Sequence, residues 1–88
     1  MQKLVQIVSH GPHCLDGVAA AVAVARYHAG RAEVVARFAG NSEIDAALRA
    51  LAPVPDRDTE LWITDISWRD PETDAHLRRL AAAGVRIH

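Results

Sequence analysis

The residues of this chain that could do chemistry lie close together near its start. His10, His13, Cys14 and Asp16 fall within one short stretch, and Asp65 follows a second apolar run further along. Imidazole and carboxylate groups with open coordination positions suit Mn²⁺ or Mg²⁺, which polarise a phosphoryl oxygen and generate hydroxide from bound water. If the two segments are neighbours in a sheet, these residue types predict a metal site that acts on a phosphate ester.

Two elements must position the first of these segments. Residues 4–8 are a Leu, Val and Ile run typical of a strand buried on both faces, and Gly11 and Pro12 end it. Residues 15–29 contain an unbroken Ala and Val run, 18–25, which favours a helix packed between other elements, with Gly30 as its C-terminal cap. Open α/β sheets place their sites at such strand-to-helix turns.

The rest of the chain continues this alternation. Residues 32–38, 61–66 and 85–87 are predicted to be further strands. Two helices lie between them, each with an apolar stripe at helical spacing: Ile44, Ala47, Leu48 and Leu51 in one, and Leu77, Leu80 and Ala81 in the other. Ser42 and Asp70 are their predicted N-caps. The predicted fold is α/β, a three-layer Rossmann-like parallel sheet of about four strands alternating with three helices.

Composition places the chain among small cytoplasmic domains. Residues 1–88 are half hydrophobic and carry a net charge of −1, which predicts one domain without a basic field for nucleic acid. A single cysteine cannot form an internal disulfide, and the first twelve residues lack the features of a signal peptide. The longest apolar run, 18–25, is shorter than the roughly 20 residues that cross a bilayer, so no membrane span is expected.

Other interpretations of the turn use its thiol or no chemistry at all. A Cys-based phosphatase loop needs an arginine six residues after the cysteine, and the residue six positions after Cys14 is Ala20. A structural zinc site usually has four closed ligands and more than one cysteine. A purely structural interpretation stays open, in which Asp16 caps the helix, Asp65 ends a strand, the histidines are solvated and the thiol is buried.

Two segments resemble motifs of the DHH phosphoesterase superfamily. His-Gly-Pro-His-Cys-Leu-Asp-Gly, residues 10–17, resembles motif one, a His and two Asp residues before a small-residue helix. Leu-Trp-Ile-Thr-Asp-Ile-Ser, residues 61–67, is similar to motif two, a single Asp at a strand end. The resemblance implies a metal-dependent phosphohydrolase or phosphodiesterase, acting on a phosphate-containing small molecule or a short oligonucleotide.

The resemblance also implies roles for individual residues. Two ions, Mn²⁺ or Mg²⁺, would activate a bridging water, with His10 on the first ion, Asp16 on the second and Asp65 bridging both. Asp16 and Asp65 are therefore the expected catalytic residues. Cys14 stands where the family pattern most often has an aspartate, and a thiol is a poor ligand for Mg²⁺. Either that ion site is weakened or His13 serves instead.

The Asp-His-His triplet that names the family would follow the fourth strand, and this sequence ends at His88. We therefore expect these residues to be the N-terminal part of a DHH-type catalytic domain, inactive alone and prone to self-association through an exposed sheet edge. The alternative is a non-catalytic α/β binding or assembly module with a vestigial metal turn. Outside the turn, His28 and His76 are predicted to be solvated, and Trp62 to pack in a strand.

Overall fold

Strand and helix alternate through the residues that the structure describes. A computed structural model describes residues 3–11, 15–54 and 57–88. Its elements are β1 (Lys3–His10), α1 (Leu15–His28), β2 (Ala32–Ala39), α2 (Ile44–Arg49), β3 (Thr59–Thr64), α3 (Pro71–Ala82) and β4 (Arg86–Ile87). The predicted α/β architecture is confirmed, because the four strands form one parallel sheet with the three helices between them in the chain.

The strand order is β2-β1-β3-β4, so β1 lies inside the sheet between β2 and β3. The apolar run in β1 explains this position, because residues on both of its faces are buried, including Val5 and Val8. Ser9 pairs with Thr64 of β3 in the register. The carboxyl ends of β1 and β3 therefore meet at one edge of the sheet, which places His10 beside Asp65.

Two clusters of apolar side chains cover the two faces of the sheet. Val5 and Ile7 of β1 pack in one cluster with Ala21 of α1, and Val8 packs in the other with Leu48 of α2 and Leu77 of α3. Alternate residues of a strand point to opposite faces. The structure is therefore three-layered, with α1 on one face and α2 and α3 on the other.

Two strands differ from their predicted bounds in ways that bear on the site. β1 runs to His10, two residues beyond the predicted end, because hydrogen bonds to both neighbours continue past the apolar run. β3 spans Thr59–Thr64, two residues earlier than predicted, so Asp65 follows the strand instead of lying within it. His10 is therefore the last residue of a strand, and Asp65 is the first residue after one.

α1 has a solvent-exposed side, which contradicts the expectation of a helix packed between other elements. Val22 is 48% exposed, and Ala19 and Ala23 are also exposed. The helix bounds nevertheless agree with the prediction to within one residue, and Gly30 adopts a φ of +75° just after the helix. None of the helices in the described part of the chain is long and apolar enough to cross a membrane.

One of the two predicted helix caps is confirmed, and the other is wrong. Asp70 accepts a hydrogen bond from the Glu72 amide at 2.9 Å and caps α3 as predicted. Ser42 is not the cap of α2, because the helix begins one residue later and Glu43 occupies the cap position without a side-chain bond. In α3, Ala81 is exposed and Thr73 is buried, so the buried stripe includes a hydroxyl that the apolar pattern missed.

Asp45 explains why that hydroxyl is buried. Its carboxylate accepts hydrogen bonds from the Thr73 hydroxyl at 2.7 Å and the Asp70 amide at 2.9 Å, with a longer one from the Arg69 amide. These bonds, led by the one from Thr73, hold the pKa of Asp45 below its usual value. A single side chain of α2 therefore fixes the start of α3.

Candidate metal centre

A buried hydroxyl ties β1 to both elements that flank the predicted site. Ser9 is fully buried, and its hydroxyl donates to the Gly17 carbonyl oxygen of α1 at 2.7 Å, with the Thr64 carbonyl oxygen at 3.1 Å as a second acceptor. The Thr64 hydroxyl donates to the Ser9 oxygen at 2.8 Å. The first turn of α1 and the ends of β1 and β3 are thus held in one hydrogen-bonded unit.

Gly17 allows α1 to begin directly against the end of β1. A Cβ atom added at this position would lie 1.8 Å from the His10 carbonyl oxygen, a distance at which no side chain fits. The glycine is therefore required by close backbone approach, which is one of the uses of this residue type. It fixes the position of the His10 backbone relative to the helix.

His10 and Asp65 lie side by side at the carboxyl edge of the sheet. The His10 Nδ1 atom is 4.0 Å from the Asp65 Oδ2 atom, and the two side chains are 33% and 38% exposed. Asp65 has a φ of +57°, a left-handed conformation that aspartate tolerates better than most residues. The expected convergence of these two predicted site residues is present, and both remain accessible to solvent.

Of the other predicted ligands, only Asp16 lies among the described residues, and it is not gathered with this pair. Asp16 lies in the first turn of α1 and is exposed, and within residues 3–11, 15–54 and 57–88 no three His, Cys, Asp or Glu side chains form a metal-binding group. His13 and Cys14 lie outside the described residues. The structure therefore brings two of the predicted ligands together, and the metal-binding roles of all of them stay predictions.

The residue types of this pair suit a divalent ion, but the two side chains would have to approach each other to share one. Adjacent octahedral ligands with bonds of about 2.1 Å lie about 3 Å apart, and the observed distance is 4.0 Å. One imidazole nitrogen and carboxylate oxygens are the mixed donor set that suits Mn²⁺.

A second group of polar residues was missed in the sequence. His28 is buried and donates from Nδ1 to the Val24 carbonyl oxygen at 2.9 Å, so its predicted solvation is wrong. Glu60 of β3, itself 5% exposed, lies 3.6 Å from its Nε2 atom, and the Trp62 ring packs against the imidazole with centroids 5.9 Å apart. Local sequence carries no signal for this burial, because Glu60 precedes the predicted strand. His76 is also not fully solvated, since its Nε2 atom lies 2.7 Å from the Leu51 carbonyl oxygen.

Comparisons with known proteins add no further information on these residues. A scan against family models, a search of curated proteins and a search of solved structures each found no match to this chain.

Proposed function

We propose that this chain is the metal-binding, Rossmann-like part of a DHH-type phosphoesterase, which hydrolyses phosphodiester or phosphoanhydride bonds with a water activated between two divalent ions. The observation that carries the proposal is the convergence of His10 and Asp65 at the carboxyl ends of β1 and β3. In open α/β sheets this edge is where ligands bind. The two residues are also those to which the motif resemblance gives a shared ion.

In this proposal each residue has a defined part. His10 would hold one ion through an imidazole nitrogen, Asp16 would hold the other through its carboxylate, and Asp65 would bind both. The ions, when bound, polarise the phosphoryl oxygen and lower the pKa of the attacking water. The hydrogen bonds of Ser9 hold the ends of β1 and β3, which keeps the His10 and Asp65 side chains close to each other.

The expected substrate is a phosphate-containing small molecule or a short oligonucleotide. The described residues bring only two of the predicted ligands together, so we expect the 88-residue chain to hydrolyse a generic phosphodiester slowly or not at all. Metal binding, which needs fewer groups than catalysis, is the property of this chain that tests the proposal.

The test is thermal unfolding with and without Mn²⁺. An ion that binds only the folded state, at ten times its Kd, stabilises it by about 1.4 kcal/mol. For a chain of this size that corresponds to a rise in Tm of roughly 6–11 °C. Asp65→Asn should remove the rise, and asparagine keeps the left-handed backbone accessible, so the variant removes charge without adding strain.

The matched control is Asp74→Asn on α3, where the carboxylate pairs with Arg78 at 2.9 Å and takes no part in the proposed site. It should keep the full Mn²⁺ effect. The absence of any Mn²⁺ effect on the wild-type chain would favour the alternative, a binding or assembly module whose metal turn is vestigial. An equal effect in wild type and Asp65→Asn would place the ion elsewhere and contradict the proposed site.

A further inference from the structure

A second concave surface lies at the edge of the sheet opposite the candidate metal centre. It is a cavity of about 440 Å³ beside the C-terminal end of α1 and the first residues of β1, β3 and β4. Its lining includes Lys3, Tyr27, Arg31, Glu60, Trp62 and Arg86. The volume falls within the range of small-molecule sites, which is about 300–1,000 Å³.

The carboxylate at the base of this cavity is already satisfied. Glu60 forms an ion pair with Lys3, accepts a hydrogen bond from the Trp62 indole nitrogen at 3.0 Å, and lies 3.2 Å from Arg86. Burial raises the pKa of Glu60, but the bonds from Lys3 and Trp62 and the charges of Lys3 and Arg86 outweigh it and lower the pKa to about 2. Glu60 therefore organises the surrounding cations and does not need a ligand.

One cation of the lining lacks such a counter-charge. Arg86 pairs with Asp58 at 2.8 Å as well as with Glu60, whereas the Arg31 guanidinium lies over the Tyr27 ring, 5.3 Å from its centroid. Among the ion pairs of the described residues, none involves Arg31. The cavity thus has an excess of positive charge at the guanidinium of Arg31, which is exposed.

Flat aromatic surfaces form much of the remaining lining. The Trp62 ring stacks on His88 with centroids 4.3 Å apart, and its hydrogen bond to Glu60 fixes the plane of the indole. Tyr27 is 67% exposed, which leaves its ring available to a further flat group. An aromatic ligand gains apolar contact on the exposed Tyr27 ring, whereas His88 already covers one face of Trp62.

We propose that this cavity binds a small anion that carries a flat ring, with the anionic group on Arg31 and the ring against Tyr27, next to Trp62. A guanidinium binds a carboxylate or a phosphate through two parallel hydrogen bonds, so an aromatic carboxylate and a nucleoside monophosphate share the required chemistry. A cationic ligand would instead meet Lys3, Arg31 and Arg86. This inference is independent of the metal centre.

The test uses Trp62 as the reporter. The chain has two tryptophans, and Trp68→Phe leaves Trp62 as the only one. In this variant, AMP tests the nucleoside monophosphate and benzoate tests the aromatic carboxylate. Inorganic phosphate carries only the anionic group of the proposed ligand, and adenosine carries only its ring. We expect saturable quenching of Trp62 fluorescence by AMP or benzoate below about 1 mM, and binding about tenfold weaker or worse for phosphate and adenosine.

Arg31→Gln should weaken binding of the preferred ligand by about tenfold or more, because a charge-assisted bond is lost. Arg79→Gln, an exposed arginine on α3, should leave it unchanged. Circular dichroism checks that both variants fold, and the Trp62 indole N–H signal in ¹H–¹⁵N spectra provides a second readout. Failure of both ligands to bind by either readout, or equal affinity in wild type and Arg31→Gln, would overturn the proposal.

Discussion

The conformation of Asp65 and the burial of Glu60 are not indicated by residue type alone. Asp65 follows a strand with a φ of +57°, a conformation that costs most side chains roughly 1–2 kcal/mol. It places the carboxylate next to His10 at the sheet edge. Glu60 is the opposite case, because it is a charged residue within β3 whose carboxylate is buried among cations.

The pH dependence of stability follows from Glu60. Its pKa falls from about 4.5 in the unfolded chain to about 2 in the folded one, because hydrogen bonds and nearby cations outweigh burial. The ionised side chain therefore stabilises the fold fully above about pH 4.5, and this contribution is lost as the pH falls towards 2. Glu60→Gln should show a smaller loss of unfolding free energy across that interval than wild type, measured by urea unfolding at each pH.

Glu72→Gln serves as the control for this comparison, because the Glu72 side chain is 81% exposed on α3. It should follow the wild-type curve. Parallel curves for wild type and Glu60→Gln between pH 4.5 and 2 would show that the buried ion pair with Lys3 does not contribute in this way.

At the scale of elements, the decisive contact is that of α1 with the end of β1. Helix propensity alone predicts that Gly17→Ala stabilises α1 by about 1 kcal/mol. The added Cβ would lie 1.8 Å from the His10 carbonyl oxygen, so strand and helix must separate. We expect a net destabilisation at or above about 3 kcal/mol, the upper end of overpacking effects, measured by urea unfolding.

Gly30→Ala separates this steric effect from backbone strain. Gly30 has a φ of +75° and nothing within 4 Å of an added Cβ, so only the conformational cost of about 1–2 kcal/mol applies. If Gly17→Ala were no more destabilising than Gly30→Ala, the close approach of α1 and β1 would not be a requirement of the fold.

For the whole molecule, the order of elements was predictable from the sequence because local patterns determine it. The apolar run of β1, the Asp70 cap and the stripe of α3 each depend on neighbouring residues, and the four-stranded parallel sheet follows from their alternation. Ser42 is not the cap of α2 because a turn that begins at Gly40 extends to Glu43, so the helix begins one residue later than predicted.

The candidate site was predictable only in part, for a physical reason. That His10 and Asp65 meet requires parallel pairing of β1 and β3, a condition that the sequence left open and the structure meets. The burial of His28 and Glu60 does not follow from local sequence, because it depends on which strand packs beneath the end of α1. The cavity with Arg31 was missed for the same reason. Self-association through the edge strands β2 and β4 remains a prediction.

The central claim, that His10 and Asp65 share a divalent ion, is tested most directly by pulsed EPR of Mn²⁺ added to the 88-residue chain. We expect bound Mn²⁺ with hyperfine coupling to an imidazole nitrogen, a coupling that is lost in His10→Gln and kept in His76→Gln. Asp65→Asn should release the ion. A coupling that is unchanged in His10→Gln, or Mn²⁺ that stays bound in Asp65→Asn, would show that the two residues do not share an ion.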